Sequence, residues 1–193
     1  MVKMTELIAR GEGFGQILGM GSAAAAEQIG RGTDAHLITS HKQEAPAHMP
    51  QMKRSLALIY ATNPFGADHQ SSEHDPAYEG DSISYADRLE LLDLTEAQPR
   101  RSLGPEKVRY ARRTQYLYSA MDSVNVCQFV FGPTWQLYGP DELRDMINHI
   151  TGWDVTIDEL LEVGERRMNL MRAFNAREGI DREQDKLPEK MFK

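Results

Sequence analysis

One stretch, residues 156–174, reads TIDELLEVGERRMNLMRAF and decides the fold class. Thr156 is followed three residues later by Glu159, which is the pattern of a capping box at a helix start. Apolar residues then recur at helical spacing from Leu160 to Met171. The stretch therefore predicts a long helix, and we expect its methionines and its final phenylalanine to pack into the core.

Further helices are predicted on either side of a polar central segment. Residues 105–121 and 140–150 each start with proline, which is favoured at the first helical position. Residues 14–29, 52–62 and 83–94 also carry helical apolar spacing, although Gly19 and Gly21 weaken the first of them. The prediction is a mostly α fold, with an irregular packing of several helices.

The polar segment, residues 67–82, is rich in carboxylates and histidines. It is too long for a tight turn, so it is either a functional loop or a disordered one. We place a sub-boundary there, within a single predicted unit that spans residues 1–193.

Composition narrows the class of protein. The chain has 193 residues, of which 40% are hydrophobic and 26% charged, as in ordinary soluble globular proteins. A net charge of −7 argues against a nucleic-acid partner. No stretch approaches the ~20 apolar residues of a membrane span, and no signal peptide is evident. The single cysteine, Cys127, excludes an internal disulfide framework and indicates a cytoplasmic protein.

Several short motifs occur in one order along nearly the whole chain. They are Gly11-Glu12-Gly13 with Leu18, Glu44-Ala45-Pro46-Ala47-His48, Tyr60-Ala61-Thr62 with Gly66-Ala67-Asp68-His69, Asp122-Ser123-Val124-Asn125-Val126-Cys127, and Phe174-Asn175-Ala176-Arg177-Glu178-Gly179 with Asp185-Lys186-Leu187-Pro188. Each motif alone is weak. Together they resemble the C-terminal domains 2 and 3 of the aldehyde:ferredoxin oxidoreductase family.

The resemblance implies the fold of those domains, with helices that enclose a bis-pterin cofactor carrying tungsten (or molybdenum). It also implies oxidation of aldehydes to carboxylic acids, with electrons passing through a [4Fe–4S] cluster to ferredoxin. Which aldehyde is oxidised does not follow from the sequence.

Cys127, taken alone, is more often an inert core thiol than a ligand, since apolar residues flank it. The resemblance makes it the fourth thiolate of the [4Fe–4S] cluster. This chain has no Cys-x-x-Cys-x-x-x-Cys run, so we expect the other three ligands on an N-terminal portion or subunit. The isolated chain is then inactive.

The same motif implies pterin contacts. A carboxylate such as Asp122 accepts paired hydrogen bonds from an amino-pyrimidine edge, although a turn aspartate is an equal alternative. Asn125 and Val126 replace the Gly and Leu of the family motif. Asparagine tolerates a left-handed backbone, so the turn is expected to persist.

Two further assignments come from the resemblance. His69, after Gly66 and Asp68, is the first candidate for proton transfer near the metal, with His74 and His48 as alternatives. Lys42 is a candidate contact to a pterin phosphate. The Lys-Gly pair expected there is replaced by His41-Lys42, with Gln43 before Glu44.

Two alternatives from other classes stay open. The chain is either part of the enzyme or a non-catalytic helical interaction subunit derived from the family. In the second case, the apolar surface that faces the rest of the enzyme would bind a partner. A third, weaker alternative is a helical binder of a small molecule beside Asp122.

Overall fold

The computed structural model describes residues 1–81 and 85–192, and it confirms a mostly helical fold. The α-helices are α1 (Val2–Arg10), α2 (Phe14–Leu18), α3 (Ser22–Ile29), α4 (Arg54–Thr62), α5 (Ala86–Glu90), α6 (Pro105–Ser123), α7 (Pro140–Thr151) and α8 (Ile157–Arg177). Two short strands, β1 (Thr39–Ser40) and β2 (Gln43–Glu44), form an antiparallel hairpin. Short 3₁₀ turns lie at Thr33–His36, Asp75–Tyr78, Arg182–Gln184 and Glu189–Met191.

The main core forms around α6 and α8, which pack closely because Gly164 has no side chain. A β-carbon at Gly164 would lie 1.8 Å from the carbonyl oxygen of Tyr116 on α6. In the same contact, the Ser119 hydroxyl donates to the Gly164 carbonyl at 3.0 Å. Core residues from α5, α7 and the segment after α6 complete this cluster.

The predicted starts of α6, α7 and α8 are confirmed. The Thr156 hydroxyl accepts a hydrogen bond from the Glu159 amide at 3.2 Å, and the Glu159 carboxylate accepts one from the Thr156 amide at 2.8 Å. Pro105 and Pro140 are the first residues of α6 and α7. The Thr156–Glu159 pair satisfies amide groups that the first turn of a helix leaves unpaired, and a proline at the first position has no amide hydrogen to satisfy.

Two predicted helices are shorter than expected. Residues 14–29 form two helices because the chain breaks at Gly19–Gly21, where Gly21 takes a φ of 87°. Of residues 83–94, Ile83 and Ser84 lie outside the described residues, and α5 covers only Ala86–Glu90. The chain turns after α5 because Asp93 adopts a left-handed conformation, with a φ of 57°.

The prediction that the methionine and phenylalanine stripe of α8 packs into the core is only partly right. Met168 is buried, Met171 is half-buried and Phe174 is 57% exposed. The helix extends beyond the main core, so its last turns present these side chains to a cavity and to the surface.

The hairpin turn holds two residues in a conformation that favours glycine. His41 and Lys42 have φ values of 51° and 65°, as a two-residue turn between antiparallel strands demands. Beyond the turn, Glu44 accepts a hydrogen bond from the Ser22 amide at 2.7 Å, which lowers the pKa of Glu44. Glu44 thus fixes the start of α3.

We expect Lys42→Gly to raise the free energy of unfolding by up to about 1 kcal/mol, because glycine adopts a positive φ without a Cβ clash. Lys42→Ala is the matched control: it removes the same charge and keeps the Cβ. Urea denaturation of both variants would measure the difference. Equal stability of the two would show that the turn is not strained.

Candidate functional site

A cavity of about 220 Å³ lies between α6, α8 and the loop after α4. We call it the Asp122 cavity. Both polar and apolar side chains line it: Asn63, Phe65, Asp68, Ser71, Gln115, Ser119, Asp122, Arg167, Met168 and Met171.

One face of α6 supplies three of the polar side chains that line this cavity. Gln115, Ser119 and Asp122 are spaced i, i+4 and i+7, so they lie along the same side of the helix. Asp122 Oδ2 lies 3.2 Å from an Arg167 guanidinium nitrogen, and Asp122 Oδ1 accepts from Gln128 Nε2 at 3.3 Å. The carboxylate is therefore held in place by two donors.

The charge balance around Asp122 is not fully compensated. Partial burial raises the pKa of Asp122, Arg167 opposes this rise, and the neighbouring carboxylate of Asp68 adds to it. The cavity thus gathers two carboxylates and one guanidinium. Such a site favours a ligand that donates hydrogen bonds to carboxylates.

The turn after α6 presents the remaining residues of the motif. Asn125 has a φ of 59°, so it takes the left-handed conformation predicted for it. The Val126 amide donates to the Met121 carbonyl at 3.2 Å, and Val126 packs partly against the main core. Cys127 follows and is exposed. Its thiol lies at the surface rather than inside the core.

Within the described part of the chain, Cys127 does not belong to a cluster of metal-ligating side chains. Among residues 1–81 and 85–192, no group of three or more His, Cys, Asp or Glu side chains is arranged to hold a metal ion. One surface thiolate does not hold a cubane cluster. Any cluster at Cys127 therefore needs ligands from other polypeptide.

A second cavity, of about 300 Å³, lies beside the first. We call it the histidine cavity. It is lined by His48, His69, Gln70, Ser72, Glu73, His74, Tyr118, Gln128, Phe129, Trp135 and Gln136. The two cavities adjoin, because Asp68 lines one and His69 the other. Gln128 lines the second and donates to Asp122 of the first.

Lys53 connects two of the three histidines. Its Nζ lies 3.0 Å from His48 Nδ1 and 3.3 Å from His74 Nδ1. An ammonium group has only donors, so both Nδ1 atoms accept and each ring carries its proton on Nε2. His74 Nε2 then donates to the His69 carbonyl oxygen at 2.8 Å. His69 Nδ1 is buried and has no hydrogen-bond partner among the described residues.

Burial and charge keep the imidazoles of His48 and His74 neutral. Burial first, and then Lys53, lowers the pKa of His48 to about 4. Burial also lowers the pKa of His74. At neutral pH both rings are therefore uncharged, and each is a weaker proton acceptor than a free imidazole.

We expect Lys53→Met to raise the pKa of His48 towards its ordinary value, because the variant removes the nearest positive charge. Titration of the His48 ring protons by NMR would measure the change. Since the pKa of His48 is lower in the folded than in the unfolded protein, the wild type should lose stability as the pH falls from about 6.5 to about 4. An unchanged His48 titration in the variant would contradict the account.

A buried network of hydrogen bonds around Glu73 forms part of the lining of the histidine cavity. Glu73 Oε2 accepts hydrogen bonds from the side chains of Thr134 (2.8 Å), Tyr118 (3.1 Å) and Gln136 (3.2 Å). The sequence did not predict a role for these residues. The Glu73-His74-Asp75 run was the available signal, but their partners are distant in sequence.

The structure does not bring Lys42 to the Asp122 cavity. Lys42 is exposed in the hairpin turn and lines another cavity, together with residues of the 3₁₀ turns near the C-terminus. The neighbouring His41 points inwards, and its Nε2 lies 3.2 Å from Asp185. Arg172 also binds both carboxylate oxygens of Asp185.

Among the described residues, every helix is too short or too polar to span a lipid bilayer.

Comparison with known proteins points to one family. A family model described as "Aldehyde ferredoxin oxidoreductase, domains 2 & 3" matches residues 1–193. The chain is 33% identical over 187 residues to a tungsten-containing aldehyde ferredoxin oxidoreductase from Pyrococcus abyssi, and 32% identical over 188 residues to one from Pyrococcus furiosus. A relative from Thermococcus kodakarensis is 30% identical. These alignments cover 96–97% of this chain but only 28% of each relative.

Proposed function

Because the chain belongs to the aldehyde ferredoxin oxidoreductase family, we propose that it is the C-terminal part of a tungsten-pterin enzyme that oxidises aldehydes to carboxylic acids. Ferredoxin is the proposed electron acceptor, and the single surface thiol is consistent with a reducing cytoplasm. Molybdenum in place of tungsten is an alternative that the metal content would decide.

The observation that carries this proposal is the pair of adjoining cavities. The Asp122 cavity is lined by the carboxylates of Asp68 and Asp122 and also by the apolar side chains of Phe65, Met168 and Met171. A pterin has a hydrogen-bonding edge and flat faces, so these residues fit it. Gln115 Nε2 is buried beside this cavity and has no partner among the described residues, which leaves a donor available for a ligand.

Each residue of the motif then has a chemical task. Asp122 accepts hydrogen bonds from the amino-pyrimidine edge of the pterin. Asn125 and Val126 shape the turn that brings the main chain to the cofactor. Cys127 supplies one thiolate to the [4Fe–4S] cluster. When bound, the tungsten-pterin group supplies the two-electron redox chemistry.

The histidine cavity handles protons in this proposal. An aldehyde and one water give a carboxylic acid, two electrons and two protons. His69 is the proposed acceptor of a proton, because its ring lines the cavity and its Nδ1 is unpartnered. Lys53, through His74, holds the loop that carries His69. His48 and His74 are less suited, since Lys53 already occupies their Nδ1 atoms.

The remaining ligands of the proposed redox centre are not supplied by this chain. The chain spans 28% of the length of the relatives it matches, so the other cluster ligands and cofactor contacts are proposed on polypeptide outside it. We therefore expect the isolated chain to be inactive.

The test is to produce the chain anaerobically together with the polypeptide encoded next to it. We expect a brown complex that contains tungsten, pterin and iron and that reduces ferredoxin when an aldehyde is added. A stable complex that contains neither tungsten nor pterin, and does not oxidise aldehydes, would contradict the proposal.

That negative result would favour the second candidate, a non-catalytic interaction subunit. One observation favours this candidate: the segment after Cys127 exposes Phe129 (62%), Trp135 (55%) and Leu137 (70%). Neighbouring exposed apolar side chains of this size commonly mark a protein interface.

A further inference from the structure

Gln115 is a buried side chain without a visible structural reason. It is only 9% exposed, and its Nε2 has no hydrogen-bond partner in the part of the chain that the structure describes. It lies on α6 among residues that satisfy their polar groups: Thr114, for example, donates to the Tyr110 carbonyl at 2.9 Å. An unpaired buried amide lowers stability, so a leucine would be the more stable choice at this position.

The unpaired amide borders the Asp122 cavity. Gln115 lies two helical turns before Asp122 on the same face of α6, and both side chains line the cavity. Seven residues span about 10 Å along a helix. A ligand that reaches both groups therefore needs one polar edge with a hydrogen-bonding group at each end, one facing Asp122 and one facing Gln115.

The side chains of Asp122 and Gln115 have opposite hydrogen-bonding roles. Asp122 accepts hydrogen bonds, whereas the Gln115 amide donates them. A pterin carries donors on its 2-amino and N3 edge and an acceptor in its 4-oxo group. Met168 and Met171 border the same cavity and offer apolar contact to a flat ring.

We propose that Gln115 is a pterin-binding residue, which donates from Nε2 to the 4-oxo oxygen while Asp122 holds the amino edge. This inference rests on the proposed function, because it concerns the same cofactor. It adds a second, oppositely polarised contact that selects an oxo-substituted heterocycle.

The test uses the wild-type chain and the Gln115→Leu variant with free 6-carboxypterin as the probe. Pterin fluorescence measures affinity, and thermal unfolding measures stability. We expect Gln115→Leu to bind the probe about tenfold more weakly, as loss of one buried hydrogen bond implies. We also expect its melting temperature to rise by about 2–4 °C, since an unpaired amide is removed.

Gln98→Leu is the matched control, because it makes the same chemical change at a half-buried residue that lines neither cavity. It should leave probe affinity unchanged. A purely structural role for Gln115 predicts the opposite of our result, namely a lower melting temperature in Gln115→Leu.

The inference is overturned if the wild type does not bind 6-carboxypterin, if Gln115→Leu binds it equally well, or if that variant melts at a lower temperature. The proposed function is judged separately by tungsten in the anaerobically assembled complex. A complex that contains tungsten, with the same pterin content in wild type and Gln115→Leu, would refute the role of Gln115 and leave the proposed function standing.

Discussion

Lys107→Met is expected to lower the free energy of unfolding by about 3–5 kcal/mol, the cost of leaving a buried charge without its partner. Lys107 and Asp75 are both fully buried, and Lys107 Nζ lies 2.6 Å from Asp75 Oδ1. The Ser55 amide also donates to both Asp75 oxygens, at 3.1 and 3.0 Å. Asp75 thus connects α4 to α6, and it is adjacent to His74 in the sequence. Lys107→Met leaves the Asp75 carboxylate without its cation, so we expect the variant to disturb the histidine cavity as well.

Chemical denaturation would measure this effect, and the double variant Lys107→Met with Asp75→Asn is its control. Removing both charges should restore part of the stability, because no unpaired charge is then buried. If the single variant loses less than about 1 kcal/mol, the pair is not the buried contact that the structure shows.

Cys127→Ser is expected to abolish the [4Fe–4S] cluster of the assembled enzyme, because a cubane cluster needs thiolate ligands and serine is a much poorer one. Iron content and the electron paramagnetic resonance signal of the reduced protein would measure the loss. In the isolated chain the same change should alter the free energy of unfolding by less than about 0.5 kcal/mol, since Cys127 is exposed. A variant that keeps the full cluster signal would remove Cys127 from the ligand set.

The helical architecture could be predicted because its signals are local. Proline at the first position of α6 and α7 and the Thr156–Glu159 box of α8 specify where helices begin within a few residues. The extent of α8 was also evident from its apolar spacing. The spacing did not show which of its side chains are buried. Met168 packs into the core, whereas Phe174 lies past the end of that core and is exposed.

The candidate site was predictable only in part. Asp122, Asn125 and Cys127 lie within one short motif, and the left-handed Asn125 was expected from its residue type. The link between Lys53 and two histidines joins positions up to 21 residues apart, and the contacts of Glu73 span 45 to 63 residues. Periodicity carries no information on such distant pairs. The unpaired amide of Gln115 was likewise invisible, because burial without a partner is a property of the packed structure.

Asp122→Asn in the anaerobically assembled complex tests most directly the claim that Asp122 and Cys127 serve one redox centre. Asp154→Asn, at an exposed position in the middle of the link between α7 and α8, is the control for a simple loss of charge. We expect Asp122→Asn to lose most of its bound pterin and tungsten, while the control retains wild-type amounts. Full tungsten and pterin content in Asp122→Asn would contradict it.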